Sequence, residues 1–228
     1  MGKGLLPILL IAFFTFLFTA EAFAFSMEND TAAYKQNPNY RLQTGLYEIY
    51  KTQHSEIVML GNSITHGVNW NELMGRNDIA ERGIPSDNVE GFLSRLDYVT
   101  RLNPKACFIM GGINDIYSGL SPEFVFSEYV KVIHELQEHN IIPVIQSTLF
   151  VSAKWHNARE KNPEVEKLNA LLRKYAENNN LTFVDLIPGM THNGLLKDEL
   201  TYDGLHLNAN GYVIWREKLE PILNKMIK

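Results

Sequence analysis

The strongest constraint on this chain is an alternation. Short, continuous apolar runs rich in β-branched residues occupy 57–60, 106–110, 141–146 and 181–186, with a weaker run at 78–84. Helical spacing fills the intervals: 41–53, 86–102, 122–139, 163–178 and 209–226. Several of these segments carry start signals. Ser121-Pro122-Glu123 supplies a cap, a first-turn proline and an early acid; Asn162-Pro163-Glu164 repeats the arrangement, and Asn208 precedes the last segment. Uninterrupted strands separated by amphipathic helices predict a mostly parallel five-stranded α/β sheet covered on both faces. In such sheets the reactive groups lie on loops at the carboxyl ends of the strands.

The two ends of the chain read differently. Lys3 is followed by a nearly unbroken apolar run over 5–18, and Ala20-Glu21-Ala22 and Ala22-Phe23-Ala24 are small-x-small sites. This is the layout of a secretory signal peptide over 1–24, cleaved after Ala24 or Ala22, and it predicts a secreted or periplasmic protein. Its apolar core is short for a bilayer of roughly 30 Å, which disfavours the alternative of an uncleaved anchor or any stable membrane insertion after cleavage. Residues 25–40 are polar and contain Asn-Pro-Asn, which predicts a loosely attached arm before a single domain over 41–228. The net charge of −5 and the scattered histidines leave no basic stripe, so nucleic acid is not an expected partner. The lone cysteine, Cys107, lies inside an apolar run and reads as a buried structural thiol.

Three segments after strands and one just before the last helix carry the chemistry: Gly61-Asn62-Ser63, Arg82-Gly83-Ile84 and Gly112-Ile113-Asn114-Asp115, then Asp203-Gly204-Leu205-His206. A serine hydroxyl becomes a useful nucleophile when a base within hydrogen-bond reach takes its proton. His206 is the candidate base, and Asp203, three residues earlier, can fix its tautomer. The N–H groups of Ser63 and Gly83 and the side-chain amide of Asn114 are the candidate oxyanion donors. Asp115 reads as a cap, and His66, beside Ser63, has no assigned part. His134 and His139, five apart, have the wrong spacing for a metal pair, and no metal is expected. Trp70, Tyr117, Phe150, Trp155 and Tyr202 fall near these segments and are candidate substrate contacts, for sugar rings or apolar acyl chains.

Taken together, the four blocks resemble the SGNH branch of the GDSL-type hydrolases, named for a Ser, Gly, Asn and His in this order. The match covers 57–212. Asn62-Ser63-Ile64 replaces the Asp-Ser-Leu of the family name, and Glu81 stands where an Asn often precedes Arg-Gly. The resemblance implies a flavodoxin-like three-layer αβα fold and ester hydrolysis without a metal or other cofactor. The expected function is a secreted serine esterase removing small acyl groups, acetyl first, from a small-molecule or glycan ester. A lysophospholipase or acyl thioesterase is the alternative within the family. Outside it, the Gly61–Thr65 loop of a flavodoxin-like module would cradle a phosphate, which leaves Asp203 and His206 without work.

Overall fold

The computed structural model describes residues 32–226; the expected signal peptide lies outside them. The central sheet holds β1 (Ile57–Gly61), β2 (Ile79–Gly83), β3 (Ala106–Met110), β4 (Ile142–Gln146) and β5 (Thr182–Val184). Their order is β2-β1-β3-β4-β5 and every pairing is parallel. This is the doubly wound flavodoxin-like order. β1 and β3 are buried along their whole length, which is why their sequences are continuous apolar runs and not alternating ones. Cys107 is one of these residues, free and buried, and burial pushes its thiol up.

Five longer helices and helical turns cover the sheet. α1 (Pro38–Ile49) starts where the Asn37 side chain accepts the Asn39 N–H. The described part of the expected arm is therefore packed. Asn37 is buried and its amide donates to the Pro85 carbonyl at 2.8 Å. α2 (Val89–Ser94) and a turn over Asp97–Thr100 stand where one helix over 86–102 was expected. Ser86 has φ +62°, outside the helical region, so Asn88 becomes the cap. The break follows at Arg95, whose side chain turns into the protein. α3 (Pro122–Glu138) keeps its Ser121 cap. α4 (Ala158–Asn178) begins before the expected Asn162 cap and carries Pro163 inside it. Asn162 is instead a buried brace, donating to the Val151 and Gly194 carbonyls and accepting the Val151 N–H. α5 (Ala209–Met226) starts at Asn208, whose side chain accepts from Asn210 and Gly211.

An antiparallel hairpin, β6 (Thr191–His192) with β7 (Leu195–Leu196), was not anticipated. Its turn residues Asn193 and Gly194 both have positive φ, as a two-residue hairpin turn demands. Among the described residues no helix is long and apolar enough to cross a membrane.

Candidate active site

In an open doubly wound sheet the crevice opens where the strand order reverses, outside the carboxyl ends. Here that point lies between β1 and β3. β1 ends at Gly61, where the chain leaves the sheet in a single helical turn, Ser63–His66. Asn62 caps that turn by accepting the Ile64 N–H at 3.0 Å, which leaves Ser63 as its first residue with an N–H facing outward. Glycine is required at 61: a Cβ there would lie 2.0 Å from the Thr65 hydroxyl and 2.7 Å from the Met110 carbonyl.

The segment just before α5 closes over this turn. His206 Nε2 lies 2.9 Å from Ser63 Oγ, and His206 Nδ1 lies 2.6 Å from Asp203 Oδ2. The other Asp203 oxygen accepts the N–H groups of Leu205 and His206 at 2.9 and 2.8 Å. Burial pushes the Asp203 carboxyl up, but the bonds from the His206 ring and these two N–H groups hold it below the ordinary carboxylate range. The loop is fixed from both sides. Thr201 Oγ1 donates to the His206 carbonyl and accepts the Gly204 N–H, and the Gly204 carbonyl accepts from Ser152. Gly204 has φ +101° and sits against the Trp155 backbone, a place only glycine fills without strain.

Asn114 enters from the turn Ile113–Tyr117 that follows β3. Its side-chain amide donates one N–H to the Asp87 carbonyl at 2.8 Å, leaving the second available. Asp87 is itself held by Arg95. The two are fully buried and paired at 2.8 Å, and the guanidinium also donates to the Gly61 and Arg82 carbonyls at 2.9 Å each. Arg95 thus ties the ends of β1 and β2 to the loop that orients Asn114.

Gly83 does not stand where an oxyanion donor is needed. Ile84 N–H donates to the Gly61 carbonyl, so by the alternation of a parallel ladder Gly83 N–H points off the free edge of the sheet. There it donates to the Glu81 carboxylate, while the Gly83 carbonyl accepts from Tyr47 at 3.0 Å. Ser86, which sequence reasoning passed over, has the more suitable backbone. It precedes Asp87 in the Asn114-bound loop, and its N–H meets no acceptor among the described residues. The detectable signal was its place one residue before a buried acid, not its residue type.

The aromatic candidates divide. Trp70 is a core residue, 1% exposed, with its indole donating to the Thr65 carbonyl and its ring edge-on to Trp215. Phe150 is also buried. Tyr202 is 69% exposed and stacks on the His206 ring at 5.8 Å. Tyr117, half-buried, donates to the His156 carbonyl, and Trp155 lies against the His156 ring, forming one wall between the Asn114 turn and the Gly204 loop. His134 bonds Tyr175 and His139 bonds the Glu135 carbonyl. No cluster of three metal-ligating side chains occurs among the described residues.

Asp115 caps α2 from outside, accepting the Val89 N–H at 3.1 Å. Burial pushes its carboxyl up to about 7. A carboxyl raised on folding adds stability below its unfolded pKa of about 4 and loses that contribution as pH rises through about 7. Asp115→Asn, which keeps the acceptor, is therefore expected to flatten the decline in melting temperature between about pH 4 and about pH 7, as read by calorimetry.

Comparison with known proteins places this arrangement. Residues 59–214 match the GDSL-like Lipase/Acylhydrolase family. An acylhydrolase-type protein from Bacteroides fragilis NCTC 9343 superposes with a TM-score of 0.74 at 26% identity, over 83% of this chain and 98% of its own. An acetyl xylan esterase, AlAXEase, superposes at 0.64 with 23% identity, over 73% of this chain and 98% of its own. An N-acylneuraminate cytidylyltransferase of Streptococcus agalactiae serotype III (strain NEM316) is 27% identical over 71% of this chain. The chain spans about 37% of the length of that relative. The chain belongs to the GDSL-like lipase/acylhydrolase family.

Proposed function

We propose that the protein is an exported serine esterase removing acetyl or similarly small acyl groups from carbohydrate esters. The observation that carries the mechanism is the unbroken relay Ser63 Oγ–His206–Asp203, at 2.9 and 2.6 Å. Ser63 attacks the ester carbonyl while His206 takes its proton; Asp203 holds the ring and stabilises the imidazolium. His206 then protonates the departing alcohol, and water, activated by the same ring, hydrolyses the acyl-serine. The tetrahedral oxyanion receives the Ser63 N–H, the second N–H of Asn114 and, in place of Gly83, the Ser86 N–H. No step calls for a metal or cofactor.

The carbohydrate reading is supported by the open, aromatic-flanked position of the relay beside Tyr202, Trp155 and Tyr117, which suits sugar rings. The fold relative named as an acetyl xylan esterase, and the sequence relative whose name contains N-acylneuraminate, both concern sugars. Export rests on the apolar run over 5–18 and the small-residue sites after it. The test is acetate release over a panel of O-acetylated glycans and monosaccharides, an O-acetyl N-acylneuraminate included, with Ser63→Ala as control. Release from at least one sugar, absent in the control, is expected. Activity confined to acyl chains of eight carbons or more overturns the small-acyl reading. Asn114→Ala is expected to lower kcat by about 10²–10³-fold with a smaller change in KM, as loss of one oxyanion donor does.

A further inference from the structure

We propose that His66, held by Glu81, is a substrate-binding group that favours esters whose alcohol half carries a carboxylate near the acylated oxygen. The inference rests on the small-acyl reading above, because an anionic group then has only the alcohol half to occupy.

Ser63 and His66 are the first and last residues of one helical turn. Residues three apart share a helix face with Cβ atoms roughly 5–6 Å apart, and a helical side chain leans towards the turn before it. His66 and Ser63 therefore share one face of this turn. Its side chain is 37% exposed. Nδ1 lies 3.3 Å from Glu81 Oε2, and Nε2 has no partner among the described residues. Glu81 is in turn anchored on a rigid strand: its other oxygen accepts the Gly83 N–H at the free edge of β2. The glutamate thus does two things: it accepts an edge N–H, as an amide side chain also could, and, unlike a neutral residue, it gives the His66 ring an anionic partner.

The Glu81 bond raises the His66 pKa, against partial burial, so the ring stays cationic to a higher pH than an ordinary histidine. Its Nε2–H then offers a charge-assisted bond to a carboxylate. The other titratable groups around it are committed or of fixed charge. The Tyr212 hydroxyl, against Gly67, donates to the Ile64 carbonyl, and Asp203 and His206 are bonded to each other, with His206 also on the Ser63 hydroxyl. In a chain of net charge −5 the long-range field repels acidic substrates, so selection for one needs a local donor of this kind.

The test compares kcat/KM for acetate release from O-acetyl-glucuronate and O-acetyl-glucose, which differ by the carboxylate. The ratio cancels any pH dependence common to both esters. In the unsubstituted protein the acidic ester is expected to be preferred by about tenfold at pH 6, the preference falling towards unity by about pH 9. His66→Gln is expected to flatten the ratio at every pH. Glu81→Gln is expected to shift the midpoint of the decline to lower pH while leaving the acidic-side preference, a change that a merely structural role would not produce. A ratio that is pH-independent, or unchanged by His66→Gln, overturns the proposal alone. Absence of Ser63-dependent release from either sugar overturns it together with the acetyl-sugar reading.

Discussion

Replacing Ser63 with alanine is expected to lower kcat by on the order of 10⁶ while leaving unfolding in urea unchanged to within about 0.5 kcal/mol. Two facts set these magnitudes. Among the described residues the Ser63 hydroxyl bonds only His206, so its loss strands no buried partner in the core. Chemically, it is the atom that forms the new bond, and nothing within the site replaces it. His206→Ala should cost a comparable factor, and the double variant no more than either single one, because a relay fails as a unit. Steady-state rates with p-nitrophenyl acetate, alongside urea titrations, check both halves. Additive losses would mean that the two residues act in separate steps.

Arg95→Met should be the most damaging single change to stability. It removes the partner of a carboxylate that is 0% exposed and takes one donor each from the Arg82 and Gly61 carbonyls, the latter keeping the Ile84 N–H. Breaking a buried pair by deleting one member costs about 3–5 kcal/mol, since the remaining charge is left without compensation. The same change frees Asp87, whose carbonyl orients the Asn114 amide, so kcat should fall even where the variant remains folded. Pairing it with Asp87→Leu is expected to recover much of the stability in urea titrations, because a well-packed apolar pair in place of a buried ion pair is often neutral. Activity should stay low, because Arg95 no longer holds the ends of β1 and β2. Restored stability with restored activity would show that Arg95 has no part in shaping the site.

The sheet was legible in the sequence because burial on both faces leaves an unmistakable residue pattern. β1 and β3 lie within a residue of their apolar runs. Helix starts were legible where a side chain does the capping, as at Ser121 and Asn208. They were misread where the same residue type serves a long-range contact. Asn162-Pro163 has the composition of a cap, yet Asn162 braces Val151 and Gly194, partners distant in sequence and invisible to local pattern. The hairpin at Asn193-Gly194 did carry its signal, but strands of two residues leave too short an alternation to register.

For the site, residue type and spacing sufficed where the chemistry is carried by side chains. Ser63, His206 and Asp203 meet within hydrogen-bond range, although Ser63 and His206 lie 143 residues apart. Backbone donors were harder, because direction in a parallel ladder depends on register and not on residue identity. As a glycine, Gly83 lets backbone approach substrate, yet its N–H faces the sheet edge. Aromatic residues were harder still. Trp70 follows Ser63 by seven residues and Tyr202 directly precedes Asp203, yet packing and not this nearness separates the core ring from the exposed one.

The central claim is that the Ser63 oxygen is activated by His206 to attack an acyl carbonyl. The most direct measurement is intact-mass and peptide mapping after treatment with a fluorophosphonate, which reacts only with an activated serine. One phosphonyl group per chain, located on Ser63 and lost in the His206→Ala variant, is the predicted result. Stoichiometric modification elsewhere, or full ester turnover by the Ser63→Ala protein, would contradict it.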